Sequence, residues 1–271
     1  MKQHIRRFVA STGITASLVC ASAIAGPALA GSAPIAQPVP VHCATDSLQT
    51  AIDSAAAGST LNVSGTCVGA FTIAKNLTLN GPAVLDGGNV GTVLTVTAGT
   101  VTLNAITIQN GSKFAYRLTA GGINNAGLLT LNRCTVDHNA AIAVGGIYNT
   151  GSLTMNLSTV SNNFGVFTAG GIDNEGTAVI KLSSITSNHG NNGTGGLLNS
   201  GTASLALTSV TQNNGGGAAG GIANTETGTL NLLLSLVTAN TDLAPGAAGG
   251  VSNLGTMHAF LTRTTGNISA P

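Results

Sequence analysis

Six times between Gly121 and Asn267 the chain repeats one phrase: paired glycines, an aliphatic residue, an Asn, a single Gly, an alternating apolar run and a second Asn. With the single glycine as origin, the phrase starts at Gly127, Gly151, Gly176, Gly201, Gly228 and Gly255, at intervals of 24, 25, 25, 27 and 27 residues. Nine residues on stand Val136, Val160, Ile185, Val210, Val237 and Thr264. Three further on there is always an amide: Asn139, Asn163, Asn188, Asn213, Asn240 and Asn267. A second amide column, Asn125, Asn149, Asn174, Asn199, Asn224 and Asn253, follows each glycine pair by three residues. A fixed period of this size marks a solenoid, in which each lap can cover only its neighbours.

The content of one lap says which kind. Positions two, four and six after the origin read Leu129, Leu131, Arg133; Leu153, Met155, Leu157; Ala178, Ile180, Leu182; Ala203, Leu205, Leu207; and Leu230, Leu232, Leu234. Thr130, Thr154, Ser204 and Asn231 fall between them, so the apolar period is two and all three columns are expected to face inward. A lap of this length is too short for strand, helix and two loops, whereas three short strands joined by turns fit. Laps stacked at the ordinary strand spacing, roughly 4.8 Å, place equivalent residues directly above one another. Ile123, Ile147, Ile172, Leu197, Ile222 and Val251 then continue the core, and glycine falls where the chain bends sharply or takes positive φ. Asn tolerates the left-handed region, and stacked amides hydrogen-bond along an axis, so both Asn columns read as structural devices.

The N-terminal residues carry different signals. Lys2, Arg6 and Arg7, the apolar stretch Phe8 to Ala25 and the small residues Ala28-Leu29-Ala30 predict an export signal over residues 1–30, removed on secretion, with no membrane span left afterwards. Pro34, Pro38 and Pro40 mark residues 31–42 as an extended linker. The solenoid domain is expected over 43–271, with a cap at 43–58, entry coils at 59–110 and regular coils at 111–267. In the cap, Asp46 would start a helix over Leu48 to Ala57 whose Leu48, Ile52 and Ala55 lie on one side, covering the first coil. A disulfide between Cys43 and Cys67 would staple cap to coil, in keeping with export. Cys134 shares its column with Ser158, Ser183, Thr208 and Ser235, which predicts a small packed residue. At the other end, Met257, Ala259 and Leu261 form the last apolar run with no recognisable cap after it. His258, Phe260 and Arg263 there replace plainer residues of earlier coils and would blunt an unpaired strand edge.

The signal segment, the capping stretch Ala56-Ala57-Gly58-Ser59-Thr60-Leu61, the run Val84-Leu85-Asp86-Gly87-Gly88 and repeats such as Gly145-Gly146-Ile147-Tyr148-Asn149 through Ser158-Thr159-Val160-Ser161-Asn162-Asn163 resemble the right-handed parallel β-helix superfamily. The likeness is to bacterial secreted proteins related to polymorphic outer-membrane protein repeats. It implies an all-β fold, a right-handed parallel β-helix with about 25 residues per coil and a short capping helix, at the cell surface or outside the cell, with adhesion as the common role. Unlike that branch, the chain shows no translocator barrel at its C-terminal side.

The superfamily also includes polysaccharide lyases and glycosidases, whose chemistry needs paired carboxylates or acidic metal ligands. The chain has eight acids, of which Asp173 and Glu175, flanking Asn174 in one turn, are the alternative catalytic pair. Asp137-His138 faintly resembles a lyase pair without its aromatic and basic partners. His42, His138, His189 and His258 fall in different coils or columns, so no metal or cofactor site is expected. Without the three basic residues of the signal, six of the nine Lys and Arg remain against eight acids, a balance that argues against nucleic acid. Four of the eight aromatics, Phe114, Tyr116, Phe164 and Phe167, lie in two turns before the paired glycines, with Arg117 beside them. They are the expected binding surface for glycans or cell-surface proteins, in a non-catalytic module whose oligomeric state is not encoded in any residue pattern.

Overall fold

The computed structural model describes residues 37–114 and 118–269; the export signal expected over 1–30 and the side chains of Tyr116 and Arg117 lie outside them. Each regular lap runs through three parallel sheets whose strands are hydrogen-bonded to the equivalent strand one lap away, and the entry laps before Ser112 through two of them, giving a parallel β-helix of about nine turns. The largest sheet holds two strands per regular lap, such as Leu128–Asn132 and Thr135–Asp137. A second is built from two-residue strands such as Ala140–Ala141, and a third from three-residue strands such as Ile147–Asn149. The register is strict: Leu131 pairs with Met155, Met155 with Ile180, Ile180 with Leu205 and Leu205 with Leu232.

Alternation accounts for the bore. Leu129, Leu131, Val136 and Ile123 point inward with their equivalents in following laps, and these columns are buried as far as Ile222, Leu230, Leu232 and Val237. The paired and origin glycines are required by space and not by backbone angle, a correction to the expectation of positive φ. A Cβ on Gly146 would lie 2.4 Å from the Gly171 carbonyl oxygen, and one on Gly151 2.3 Å from that of Gly127.

Three corners turn each lap, and each is satisfied by a column of side chains facing in. At the first, the backbone N–H of Cys134 donates to Ser158 Oγ and that of Ser158 to Ser183 Oγ, at 3.0 and 3.1 Å. Cys134 is buried in this hydroxyl column, and burial pushes its thiol pKa up, so it packs and does not react. At the second, Asn139 Nδ2 donates to Asn163 Oδ1 at 3.0 Å, and the pattern continues through Asn188, Asn213 and Asn240 to Asn267. At the third, Asn125, Asn149, Asn174, Asn199 and Asn224 each donate to the next amide at 2.7 to 2.8 Å, ending on Asn253.

One expected core column faces outward. Arg133, Leu157, Leu182, Leu207, Leu234 and Leu261 sit at the first corner with φ between 49° and 52°, and their side chains are exposed. A single residue in the left-handed region interrupts the strand, so position six points out and the next residue, Cys134 or its Ser and Thr equivalents, points in.

The N-terminal end also differs in detail. The stretch read as linker through His42 ends in a strand, Val39–His42, paired in parallel with Leu61 to Ser64 and burying Val41. The capping helix is shorter than expected, Leu48–Ser54, and its N-cap is Ser47 rather than Asp46; Ser47 Oγ accepts from Thr50 N–H at 3.3 Å. Asp46 accepts the His42 N–H at 2.7 Å instead, which lowers its pKa. Leu48 and Ile52 are buried over the first coil, and Lys75 Nζ donates to the carbonyls of Asp53 and Ala55 at the helix C-terminus. Cys43 and Cys67 form the expected disulfide. At the far end, Val251 is half-buried and Met257 and Ala259 exposed, and the bore opens in a cavity of about 450 Å³. Among the described residues, no helix is long and apolar enough to cross a membrane.

Candidate functional site

Between the second and third sheets each lap makes its longest excursion, the stretch before the paired glycines. Phe114 follows the strand Ser112–Lys113 and is 59% exposed; Phe167, on the same edge, is 54% exposed. Ile142 N–H donates to the Lys113 carbonyl and Phe167 N–H to the Ile142 carbonyl, so the two phenylalanines lie two laps apart on one edge. That is roughly 10 Å along the axis. Phe164 is different: it is half-buried, paired in register with His189, and the two rings stack with centroids 5.4 Å apart and planes 14° from parallel. The five-residue expectation therefore divides: Phe114 and Phe167 are open, Phe164 backs the edge, and Tyr116 and Arg117 belong to the segment outside the described residues.

Beneath the same excursion lies a small second core. Ala120, Ala143, Val144 and Ala169, one per lap or nearly so, cover the outer face of the third sheet, with Tyr148 and Leu198 packed against them. Register places Asp173 directly between Tyr148 and Leu198, so its carboxyl projects into this apolar layer and is only 3% exposed. Burial, and then the nearby Glu175 carboxylate, push its pKa up to about 7. The Thr168 hydroxyl lies close enough to pull slightly the other way, but not in hydrogen-bonding geometry. Asp173 Oδ1, Thr168 Oγ1 and Thr194 Oγ1 are all buried without a partner.

Glu175 is exposed and accepts a hydrogen bond from the Tyr148 hydroxyl at 2.8 Å. Burial, reinforced by that carboxylate, raises the Tyr148 pKa well above the ordinary phenol value, so the hydroxyl stays a donor. The other side of Tyr148 lines a groove of about 260 Å³ with Thr95, Leu118, Asn124 and Thr150. Asp173 and Glu175 are thus neighbours with opposite surroundings, one sealed and one open.

The remaining ionisable cluster is local. Asp137 accepts from Ser161 Oγ at 2.7 Å and Asn162 Nδ2 at 2.8 Å and pairs with His138 Nδ1 at 2.5 Å. His138 sits in the left-handed region at a corner. Burial would raise the pKa of Asp137, but the hydrogen bonds it accepts outweigh that and lower it. Among the described residues, no group of three or more His, Cys, Asp or Glu converges as a metal site would require.

The chain matches no protein-family model, curated protein or solved structure.

Proposed function

We propose that the protein is an exported, non-catalytic β-helix that binds a glycan or cell-surface protein along the edge carrying Phe114 and Phe167. The observation that carries this reading is the exposure of both rings on one edge of a chain with only eight aromatics. Phe164, held flat by His189, supports the edge from behind, and Tyr148 with Glu175 offers a ring and a charged acceptor next to the adjoining groove. The Cys43–Cys67 disulfide suits an oxidising compartment, in line with the export signal expected over residues 1–30. Adsorption of the full chain to cell-wall and extracellular glycans is expected to fall at least about tenfold in a Phe114→Ala, Phe167→Ala double variant, in line with loss of two interface aromatics. Unchanged adsorption would remove this surface from consideration.

One observation favours a second reading, a lyase or glycosidase. A buried carboxyl with a pKa near 7 beside an exposed one is the arrangement that divides acid from base roles. Because Asp173 is only 3% exposed, this reading requires its cover to open. Release of reducing ends or unsaturated products from a polysaccharide panel, lost in both Asp173→Asn and Glu175→Gln, would favour it over binding alone.

A further inference from the structure

We infer that the leucine corner is a docking edge for an anionic lipid surface, separate from the aromatic edge and independent of that reading. Leu157, Leu182, Leu207, Leu234 and Leu261 stand in one column, 46% to 69% exposed, over a length of roughly 19 Å at the strand spacing. Neither the core nor the backbone calls for leucine there. The side chains stand outside the core, and φ values of 49° to 51° favour Asn or Gly.

The second corner provides an internal comparison. It repeats the same left-handed geometry with His138, Asn162, Ser187, Gln212 and Ala239, residues that are polar or small. Only one of two equivalent corners is lined with large apolar side chains, and a contiguous exposed apolar strip of this kind marks an interaction surface.

Charge and shape select the partner. Arg133 heads the column, Lys181 precedes Leu182, and Arg263 follows Leu261 by two residues; all three are exposed. They are half of the six basic residues outside the signal segment. The nearest acid along the strand, Asp137, is already engaged by Ser161, Asn162 and His138. The corner is convex, because Met155 and Ser158 on either side of Leu157 face the bore. A convex apolar edge flanked by cations sinks into a soft anionic interface, whereas two such edges would bury little against each other and bring like charges together.

Two measurements on the full chain decide it. The sequence has no Trp, so Leu182→Trp places a unique fluorophore on the corner. Its emission is expected to shift to the blue with vesicles of phosphatidylglycerol in phosphatidylcholine and to be quenched by brominated acyl chains. Phosphatidylcholine alone should have a much weaker effect. An unchanged spectrum, or equal responses to the two vesicles, overturns the inference. Attachment through the apolar stretch Phe8 to Ala25 would not mimic a signal local to the corner. In the second measurement, a triple variant, Leu157→Asn, Leu182→Asn and Leu207→Asn, is expected to sediment with the anionic vesicles at least about tenfold more weakly. Its thermal midpoint should be equal to the parent's or higher, since Asn accepts the left-handed conformation. Undiminished vesicle binding by this variant overturns the inference. So does a parent dimer that the variant converts to monomer, which would make the corner a contact between copies.

Discussion

Asp173 keeps a proton in the folded chain that it would release in the unfolded one. Its folded pKa of about 7 lies above the ordinary 3.8, so this group's contribution to stability is largest at low pH, falls as pH rises through that window and levels off above it, against the opposite and lower-lying trend of Asp46 and Asp137, whose pKa values are lowered. The full loss is at most about 4 kcal/mol, from the size of the shift. Asp173→Asn is expected to flatten this part of a denaturation-midpoint profile and to raise the midpoint above neutral pH; a wild-type profile that is level between about pH 4 and pH 8 would show the carboxyl to be better solvated than its burial implies. None of this is legible in residue order, where Asp173 and Glu175 appear only as a pair of acids flanking Asn174. The surroundings of Asp173 come from Tyr148 and Leu198 in the laps on either side, both packed on the alanine layer, and only the register brings them together. The leucines at position six are the other misreading at this scale. Apolar type at alternate positions predicts burial, but one left-handed residue reverses the face. Arg133 in the same column, and the small Ser, Thr and Cys column just after it, were the available signs.

At the scale of elements, the two interior Asn columns were legible because they repeat at a fixed offset, and a closed lap has few places for an amide to go. A third ladder was missed although its spacing is similar: Asn62, Asn80, Asn104, Asn132 and Asn156 are linked side chain to side chain on the outer face at 2.8 to 3.1 Å. Lys181 ends it. The two kinds of ladder should differ in worth. Asn188 accepts from both the N–H and Nδ2 of Asn163 and donates to Val160 O and Asn213 Oδ1, all in the buried corner. Asn188→Ala strands these partners without water and is expected to cost about 3 kcal/mol in a denaturant melt. Asn132→Ala, whose neighbours reach solvent, is expected to cost less than about 1 kcal/mol. Equal costs would mean that the buried corner admits water.

For the molecule as a whole, stability in a stack of this kind is the sum of neighbour contacts, so the ends govern it. Amide exchange is expected to be slowest in the central laps and fastest over residues 251–269, where the bore residues are least covered. Reducing the Cys43–Cys67 bridge, which closes a loop of 24 residues, should cost about 3 kcal/mol and release the cap before the central laps in the same experiment. Uniform protection along the chain would instead indicate one cooperative block. The period and its all-β reading were visible at this scale from the sequence alone. The N-terminal strand Val39–His42 was not, because its single proline, Pro40, suits a sheet edge as well as a linker.

The unequal laps have one more consequence. The longer intervals arise from residues added outside the sheets, at Thr225 to Thr227 and around Leu243 to Ala247, and the strands on either side keep their pairing undisturbed. Length polymorphism is thereby uncoupled from folding. New peptide can be spliced into these outward bulges, and the scaffold beneath would carry it as cargo without having to be redesigned.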